Sequence, residues 1–295
     1  MKKRIFTGSG VAIVTPMRTD GSIDYEELGR IIDFQIENHT DAIITCGTTG
    51  EAATMTTEEH CKVIRYTMEK VAGRIPVIAG TGSNDTAFGI ELSKEAEAMG
   101  VDGLLLVTPY YNKTSQKGLV EHFTAIANAV KIPCIVYNVP SRTGCNILPA
   151  TYAKLAKVEN IVAVKEANGN IAAIAQTIAL CGDELDVYSG EDSQTLPIMA
   201  LGGIGVISVF ANALPRQMHD LTAAMLAGDL VTARKIQNQY VDLMEGFFID
   251  VNPIPIKTTM NKLGFNCGPC RLPLTTMTEE SEAALDTLLH KHGLI

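Results

Sequence analysis

The chain has 295 residues, 46% hydrophobic and 19% charged, which is a globular composition with room for one large domain and an extension. Its 24 basic and 33 acidic residues give a net charge of −9, and the longest basic run is residues 2–4, which argues against nucleic acid as a partner. Residues 7–10 (TGSG) interrupt any apolar stretch after that run, so we expect neither a signal peptide nor a membrane span.

Short apolar runs follow one another along the first two thirds of the chain. Each is continuous rather than alternating, as expected for parallel strands buried on both faces, and helix-like stretches such as residues 57–71 and 86–99 separate them. The runs occupy residues 11–14, 42–44, 76–79, 103–107, 133–136, 161–164, 186–188 and 206–209. Because strand and helix alternate eight times, the sequence predicts an α/β fold, the closed (β/α)8 or TIM barrel.

A doubly wound open sheet is the competing arrangement, and it would carry a glycine-rich dinucleotide-binding turn after its first strand. In this chain the first run leads instead into residues 15–17 (TPM). One G-x-G pair, Gly80 and Gly82, follows the third run, but the third glycine of the dinucleotide motif is absent. The sequence therefore favours the barrel, with the G-x-G pair in a tight loop.

The strand pattern ends at about residue 229. Amphipathic stretches follow at residues 230–247, 254–263 and 279–290, with apolar residues at helical spacing. We therefore predict two units, a catalytic barrel over residues 1–228 and a C-terminal helical extension over residues 229–295.

Lys165 directly follows the sixth apolar run, and chemistry in this kind of barrel takes place at the C-terminal ends of the strands. An amine held in the barrel mouth has little water around its stem. Desolvation lowers the pKa of the amine and exposes the neutral form, which can attack a carbonyl and form a Schiff base. The alternative is a structural lysine that reaches solvent or pairs with Glu166, and position alone does not separate the two.

Groups suited to proton transfer and anion binding end the neighbouring runs. Tyr137 ends the fifth run, and its phenol could pass protons through Thr48 and a second tyrosine, although a tyrosine there could equally be packing. The hydroxyls of Thr48 and Thr49, with nearby N–H groups, could form an anion cradle or only a turn. Arg142 lies in the loop after the fifth run, where it could bind a carboxylate at two points or lie in solvent.

These segments together resemble the pyruvate-dependent class I aldolase family, which contains dihydrodipicolinate synthases and N-acetylneuraminate lyases. The resemblance covers essentially the whole chain, and it rests on the order and spacing of several short motifs. The motifs are residues 10–16 (GVAIVTP), 47–51 (GTTGE), 137–140 (YNVP), 164–166 (VKE) and 271–274 (RLPL).

The resemblance implies a catalytic role for four residues. Lys165 would form a Schiff base with pyruvate, and Tyr137 would donate and accept protons above it. Thr48 would connect Tyr137 to Tyr111, which in this family reaches into the site from a neighbouring subunit. The resemblance therefore also implies a homotetramer, built as a dimer of dimers, and no cofactor beyond the covalent Schiff base itself.

The resemblance implies substrate contacts as well. Thr49 would hold the carboxylate of pyruvate, and backbone groups of Gly190 and Ile207 would line the pocket. Arg142 would bind the carboxylate of L-aspartate 4-semialdehyde at the entrance. The sialic-acid lyases of the family generally carry an apolar residue at that position, so Arg142 favours the synthase branch, which makes 4-hydroxytetrahydrodipicolinate for lysine biosynthesis.

Other functions stay open beside this interpretation. A different pyruvate aldolase, acting on N-acetylneuraminate or a keto-deoxy sugar acid, would use the same lysine and tyrosine, and a barrel that only binds a keto acid would need no catalysis. A metal-dependent aldolase is disfavoured, because none of the histidines ends a predicted strand or has metal-ligand spacing.

The cysteines bear on redox chemistry and location. Seven of them, an odd number, are scattered from Cys46 to Cys270 and mostly lie within apolar runs, as small buried residues do in a reducing compartment. We therefore expect a cytoplasmic protein. Cys267 and Cys270 have the C-x-x-C spacing of thiol-disulfide oxidoreductases, but no βαβ unit surrounds them, so we interpret the spacing as coincidence.

The resemblance also points to a regulatory cleft. In many relatives L-lysine binds at a dimer interface below the active site, and His60, Asn84 and Tyr110 match positions that line it. Lysine-sensitive members carry an acidic residue where Phe88 stands and often a histidine where Thr57 stands. We therefore predict weak or absent inhibition by L-lysine.

Overall fold

The computed structural model describes residues 2–295, in which eight parallel strands close into a barrel in chain order, with β1 paired to β8. The strands are β1 Gly8–Ala12, β2 Ala42–Thr45, β3 Val77–Gly80, β4 Gly103–Val107, β5 Cys134–Asn138, β6 Ile161–Glu166, β7 Asp186–Ser189 and β8 Gly205–Ser208. The predicted (β/α)8 fold is confirmed. The runs are continuous because each strand buries one face in the barrel interior and the other under the helices.

The first strand begins ahead of its apolar run. We predicted residues 11–14, whereas β1 begins at Gly8, because Gly8 pairs with Gly205 of β8 to close the barrel. A Cβ atom on Gly205 would lie 2.1 Å from the carbonyl oxygen of Gly8, so glycine is required at this close approach. Hydropathy does not mark glycine as a strand residue, which explains the shifted boundary.

Two strands continue beyond their apolar runs and carry polar residues with them. β5 and β6 end at Asn138 and Glu166, so Tyr137 and Lys165 lie within strands rather than after them. The two residues are register partners in the parallel pair. The register therefore holds the phenol and the amine side by side.

The N-terminal end of the barrel is closed by side chains. The ring of Phe6 stacks on Tyr188 with 4.5 Å between centroids, and the Tyr188 hydroxyl donates to the Phe6 carbonyl oxygen at 2.6 Å. Buried aliphatic side chains such as Ile44, Ile78 and Ile135 fill the interior above them. Because this end is packed and apolar, the polar groups of the barrel gather at the opposite, C-terminal mouth.

Helices cover the barrel from outside, and polar caps begin several of them. Thr56 and Glu59 form a capping box at the start of the second helix, and Asp24 caps the first. The helices that precede the extension are α1 Tyr25–Glu37, α2 Thr57–Val71, α3 Thr86–Ala98, α4 Gln116–Asn128, α5 Pro140–Thr143, α6 Pro149–Leu155, α7 Ile171–Cys181, α8 Thr195–Ala200 and α9 Pro215–Leu226.

The predicted C-terminal helices are present as α10 Leu230–Gly246, α11 Ile254–Lys262 and α12 Glu279–Lys291. α10 packs against α9 and α12, and the link between α10 and α11 reaches the barrel mouth. The division between residues 228 and 229 falls between α9 and α10, and as a domain boundary it stays a prediction. Within residues 2–295, no helix has both the length and the apolar character needed to cross a membrane.

Candidate active site

A cavity of about 630 Å³ opens at the C-terminal mouth of the barrel. Its walls combine strand-end residues with the link between α10 and α11. They include Gly47, Thr48, Thr49, Tyr137, Arg142, Lys165, Gly190, Glu191 and residues 248–252. Most of the residues predicted from strand ends therefore line one cavity.

Lys165 lies within this cavity and is 5% exposed. Burial lowers the pKa of its amine to about 8, although the charges of Asp192 and Glu191 act in the opposite direction. A substantial fraction of the amine is therefore neutral near physiological pH, as a nucleophile requires. Its Nζ atom lies 4.3 Å from the centroid of the Tyr137 ring, so the predicted proton shuttle is adjacent.

The alternative pairing of Lys165 with Glu166 is not formed. Glu166 accepts hydrogen bonds from the Tyr152 hydroxyl at 2.7 Å and from Asn138 Nδ2 at 2.9 Å. Burial raises the pKa of the Glu166 carboxyl to about 7, and these donors act against the rise. Successive strand residues point to opposite faces, so Glu166 faces the helices while Lys165 faces the cavity.

Tyr137 is buried, and burial raises the pKa of its phenol to about 12. The positive charge of Arg142 and the nearby Thr48 side chain act in the opposite direction. The phenol is therefore protonated near neutral pH and can donate a proton. Thr48, which lies exposed on the cavity wall, is the predicted next member of the relay.

Thr49 and Arg142 both form hydrogen bonds with one residue, Asn252, on the link between α10 and α11. Asn252 Nδ2 donates to Thr49 Oγ1 at 3.0 Å, and Arg142 Nη2 donates to the Asn252 carbonyl oxygen at 3.0 Å. Thr49 is buried, whereas Arg142 is exposed at the entrance. The wall of the cavity thus has a buried hydroxyl and an exposed guanidinium, an arrangement suited to two separate carboxylates.

Comparison with known proteins decides the family. A model of the dihydrodipicolinate synthetase family matches residues 5–292. The chain is 55% identical over 290 residues to the 4-hydroxy-tetrahydrodipicolinate synthase of Caldicellulosiruptor bescii, with 98% of each sequence covered. The chain belongs to the dihydrodipicolinate synthetase family. It is therefore a lyase of the class I aldolase type, with the 4-hydroxy-tetrahydrodipicolinate synthase activity named for its full-length relatives.

Solved structures agree with the family assignment. The crystal structure of dihydrodipicolinate synthase from Aquifex aeolicus has a TM-score of 0.96 and 49% identity, covering 98% of this chain and 99% of that one. The chloride-inhibited enzyme from Acinetobacter baumannii, complexed with pyruvate, has a TM-score of 0.97 and 42% identity, covering 99% and 100%. The barrel and its C-terminal helices are thus the fold of this synthase family.

Of three further residues predicted from the family resemblance, one lines the cavity and two do not. Gly190 lines the cavity, and a Cβ atom there would lie 3.0 Å from the Glu166 carbonyl oxygen, so the position requires glycine. Ile207 packs within the barrel core and does not line the cavity. Tyr111 is 93% exposed, with a φ of +67°, and also lies outside the cavity wall.

A second cavity of about 400 Å³ adjoins the first and shares Thr48, Tyr137 and Asn252 with it. Its wall includes His60, Phe88 and Tyr110. The His60 ring is already bonded through Nε2 to the Gly80 carbonyl oxygen at 2.8 Å. Of the other residues predicted for the regulatory cleft, Asn84 donates to the Tyr110 carbonyl oxygen at 3.2 Å, and Thr57 is exposed; neither lines this cavity.

Acidic residues beside Lys165 received no role from the sequence. Glu191 lines the cavity, and burial, with the neighbouring charge of Asp192, raises the pKa of its carboxyl to about 7. Asp192 is buried, and its Oδ2 accepts from the backbone N–H groups of Val209 and Phe210 at 3.0 and 2.9 Å. The position of Glu191 two residues after the seventh strand was the available signal. The burial and bonding of Asp192 depend on contacts with the loop after β8, and local sequence does not identify such contacts.

A buried ion pair behind the cavity was also missed. Lys257 Nζ on α11 lies 2.7 Å from Glu51 Oε1, and both side chains are almost fully buried. The other carboxylate oxygen of Glu51 accepts from the Arg271 backbone N–H at 2.9 Å. Glu51 ends the loop that carries Thr48 and Thr49, so the pair joins that loop to the C-terminal helices.

Cys267 and Cys270 are both free thiols in a firmly anchored segment. The Cys267 carbonyl oxygen accepts from the Met17 N–H at 2.9 Å, and the Pro269 carbonyl oxygen accepts from Lys257 Nζ at 2.8 Å. Burial raises the pKa of each thiol to about 12, so neither is a thiolate near neutral pH. These observations favour a structural segment over a thiol-disulfide site.

Proposed function

We propose that Lys165 holds pyruvate as a Schiff base and that the resulting enamine adds to L-aspartate 4-semialdehyde. The observation that carries the proposal is a buried amine with a pKa near 8, next to a protonated phenol in an open cavity. The neutral amine attacks C2 of pyruvate, and one water leaves as the Schiff base forms. Pyruvate bound to the Acinetobacter baumannii relative supports the choice of keto acid.

The neighbouring residues take the remaining roles in this proposal. Tyr137 donates the proton needed to expel water from the carbinolamine, and Thr48 connects it to the rest of the relay. The Thr49 hydroxyl binds the pyruvate carboxylate at the closed end of the cavity. Gly190 lets the loop after β7 lie close to the end of β6, since a Cβ atom there would be 2.8 Å from Ala167 Cβ and 3.0 Å from the Glu166 carbonyl oxygen.

Carbon–carbon bond formation follows at the open end. Loss of a proton from C3 of pyruvate gives the enamine, which attacks the aldehyde carbon, and the aldehyde oxygen takes up a proton. Arg142 binds the carboxylate of the semialdehyde in this step. The semialdehyde amine then attacks the Schiff-base carbon and releases Lys165, giving 4-hydroxytetrahydrodipicolinate with the net loss of one water.

Reductive trapping tests the Schiff base directly. Pyruvate with borohydride should inactivate the enzyme and add one reduced three-carbon adduct, which peptide mass spectrometry should locate on Lys165. The rate of trapping should rise with pH and level off above about 8, because only the neutral amine attacks and its pKa is about 8. Borohydride without pyruvate is the control. An adduct on another lysine, or no adduct, would contradict the proposal.

We propose that the active form is a homotetramer, a dimer of dimers, in which Tyr111 completes the relay of a partner subunit. Its 93% exposure and its position outside the cavity of its own chain support this role. Without a partner subunit, the phenol of Tyr111 would lie in solvent and could not join Thr48 and Tyr137.

Subunit complementation tests the shared site. Tyr111→Phe and Lys165→Ala subunits should each be inactive alone, and their co-expression should restore part of the activity, because some hybrid sites contain both native residues. Tyr110→Phe, a change in the adjacent tyrosine, should not abolish turnover and serves as the control. Full activity in a sedimenting monomer would contradict the shared relay.

We propose weak or absent inhibition by L-lysine. A carboxylate partner for a ligand ammonium forms a bond worth about 1.5–3 kcal/mol, so phenylalanine at position 88 should weaken lysine binding by about ten- to a hundredfold. Phe88→Glu should increase sensitivity, while Phe88→Leu should not. Half-inhibition of the unmodified enzyme well below about 1 mM would contradict the prediction.

The proposed reaction needs no metal or organic cofactor, because the Schiff base itself supplies the electron sink. We also propose a cytoplasmic location. Seven unpaired cysteines support it, since disulfides are rare in reducing compartments.

A further inference from the structure

Asn252 belongs to the C-terminal extension in sequence but lies in the wall of the barrel cavity. The residue is 4% exposed. Its side chain is bonded to Thr49, and its backbone is bonded to Arg142, at 3.0 Å in each case. These two partners are the proposed receptors for the carboxylates of the two substrates. One residue therefore contacts both receptors.

The amide of Asn252 faces Thr49 with its Nδ2 group, which only donates, so the Thr49 oxygen is the acceptor; the amide oxygen Oδ1 is buried and has no hydrogen-bond partner among residues 2–295. A threonine hydroxyl has one hydrogen of its own, which this bond leaves unused. Among residues 2–295, the bond from Asn252 is the one hydrogen bond of that hydroxyl. The Thr49 hydrogen is therefore free to donate to a carboxylate in the cavity.

The bond to Arg142 restricts a long and otherwise mobile side chain. A guanidinium is planar, and its five N–H groups project in fixed directions. One Nη2 hydrogen is directed at the Asn252 carbonyl oxygen, which limits how the plane can turn at the cavity entrance. The N–H groups that remain can then meet a carboxylate in a constant orientation.

We propose that Asn252 is a positioning residue that makes Thr49 a hydrogen-bond donor and orients Arg142, and so determines where both substrate carboxylates bind. The inference rests on the proposed function, because it requires Thr49 to face pyruvate and Arg142 to face the semialdehyde. The link between α10 and α11 therefore takes part in substrate binding, whereas the residues proposed for the chemistry, Lys165 and Tyr137, lie in strands.

Asn252→Asp tests the direction of the bond, since aspartate has the shape of asparagine but cannot donate when ionised. Thr49 would then donate to the introduced carboxylate and lose its hydrogen for pyruvate, and a negative charge would face the bound substrate. We expect the pyruvate concentration for half-maximal borohydride trapping at Lys165 to rise about 10- to 100-fold. Asn252→Ala leaves the Thr49 hydrogen free, and we expect it to raise this pyruvate concentration only about 3- to 10-fold.

A merely structural role predicts the opposite order, because alanine would leave a cavity that the isosteric aspartate fills. Thermal unfolding of both variants separates lost folding from lost binding. In a Thr49→Val background, Asn252→Ala should cause little further change in the pyruvate dependence, since the hydroxyl is already gone. The KM for the semialdehyde should stay near that of Thr49→Val alone, because the carbonyl oxygen that accepts from Arg142 belongs to the backbone and remains in both variants.

Specific outcomes overturn the inference. An unchanged pyruvate dependence in Asn252→Asp, a larger effect of alanine than of aspartate, or an undiminished effect of Asn252→Ala in the Thr49→Val background would each do so. Failure of the proposed function is distinguishable, because the unmodified enzyme would then form no pyruvate adduct at Lys165. If the adduct forms normally and the variants behave alike, only the role of Asn252 is wrong.

Discussion

Replacing Lys165 with alanine is expected to lower kcat by on the order of 10³-fold or more without loss of the fold. The variant has no amine for the Schiff base, so pyruvate can only be positioned and not activated. The fold should accept alanine, because the Lys165 side chain lines a cavity and the variant no longer has to bury an ammonium group. Steady-state turnover of pyruvate with L-aspartate 4-semialdehyde measures the loss, and circular dichroism checks the fold.

Two further variants sharpen this test. Lys165→Arg keeps a positive charge, but its guanidinium is always protonated and cannot act as a nucleophile. The variant should therefore be as inactive as Lys165→Ala if the nucleophile is the neutral amine. Lys117→Ala removes an exposed lysine of α4 that pairs with Glu121 at 3.6 Å, and its activity should remain near that of the unmodified enzyme. Turnover of Lys165→Ala within about tenfold of normal would contradict covalent catalysis.

Lys257→Met should destabilise the protein by about 3–5 kcal/mol, the usual effect of leaving one partner of a buried ion pair uncompensated. Lys257 and Glu51 are 2% and 0% exposed, so water cannot replace the lost ammonium. The Pro269 carbonyl oxygen also loses its donor. Urea unfolding at fixed protein concentration measures the change, since subunit association would otherwise shift the midpoint.

The chain offers a matched control on the same helix. Lys262→Met makes the same substitution in a partly exposed pair with Glu282 and Asp286, where an effect of about 1 kcal/mol or less is expected. The double variant Glu51→Gln, Lys257→Met should be more stable than Lys257→Met alone, because no buried charge remains and the Arg271 N–H keeps an acceptor. Equal losses in Lys257→Met and Lys262→Met would show that burial of the pair does not matter.

The strand-end residues illustrate what local sequence can predict. Lys165 and Tyr137 follow short, continuous apolar runs, and a polar residue at the end of such a run has few positions other than the barrel mouth. Thr49 was found for the same reason, whereas Gly190 was predicted from the family resemblance, and both line the cavity. Their catalytic roles came from the resemblance to a family, not from position, and they remain proposals for experiment.

Asn252 and Lys257 illustrate what local sequence did not predict. Asn252 contacts Thr49 across 203 positions of sequence, and Lys257 contacts Glu51 across 206. Neither residue stands in a pattern that marks it as buried, and lysine is a residue type normally found in solvent. Their partners become neighbours only when the C-terminal helices pack against the completed barrel.

By itself the sequence determined the closed barrel, the C-terminal helices and the order of polar residues around the mouth. The physical reason is that continuous apolar runs and amphipathic stretches reflect burial, which is a local property of each element. The tertiary structure alone decided which side chains share the cavity and how they are bonded, such as Glu166 to Tyr152 rather than to Lys165. Those contacts depend on strand register and helix docking, which join residues that are far apart in the chain.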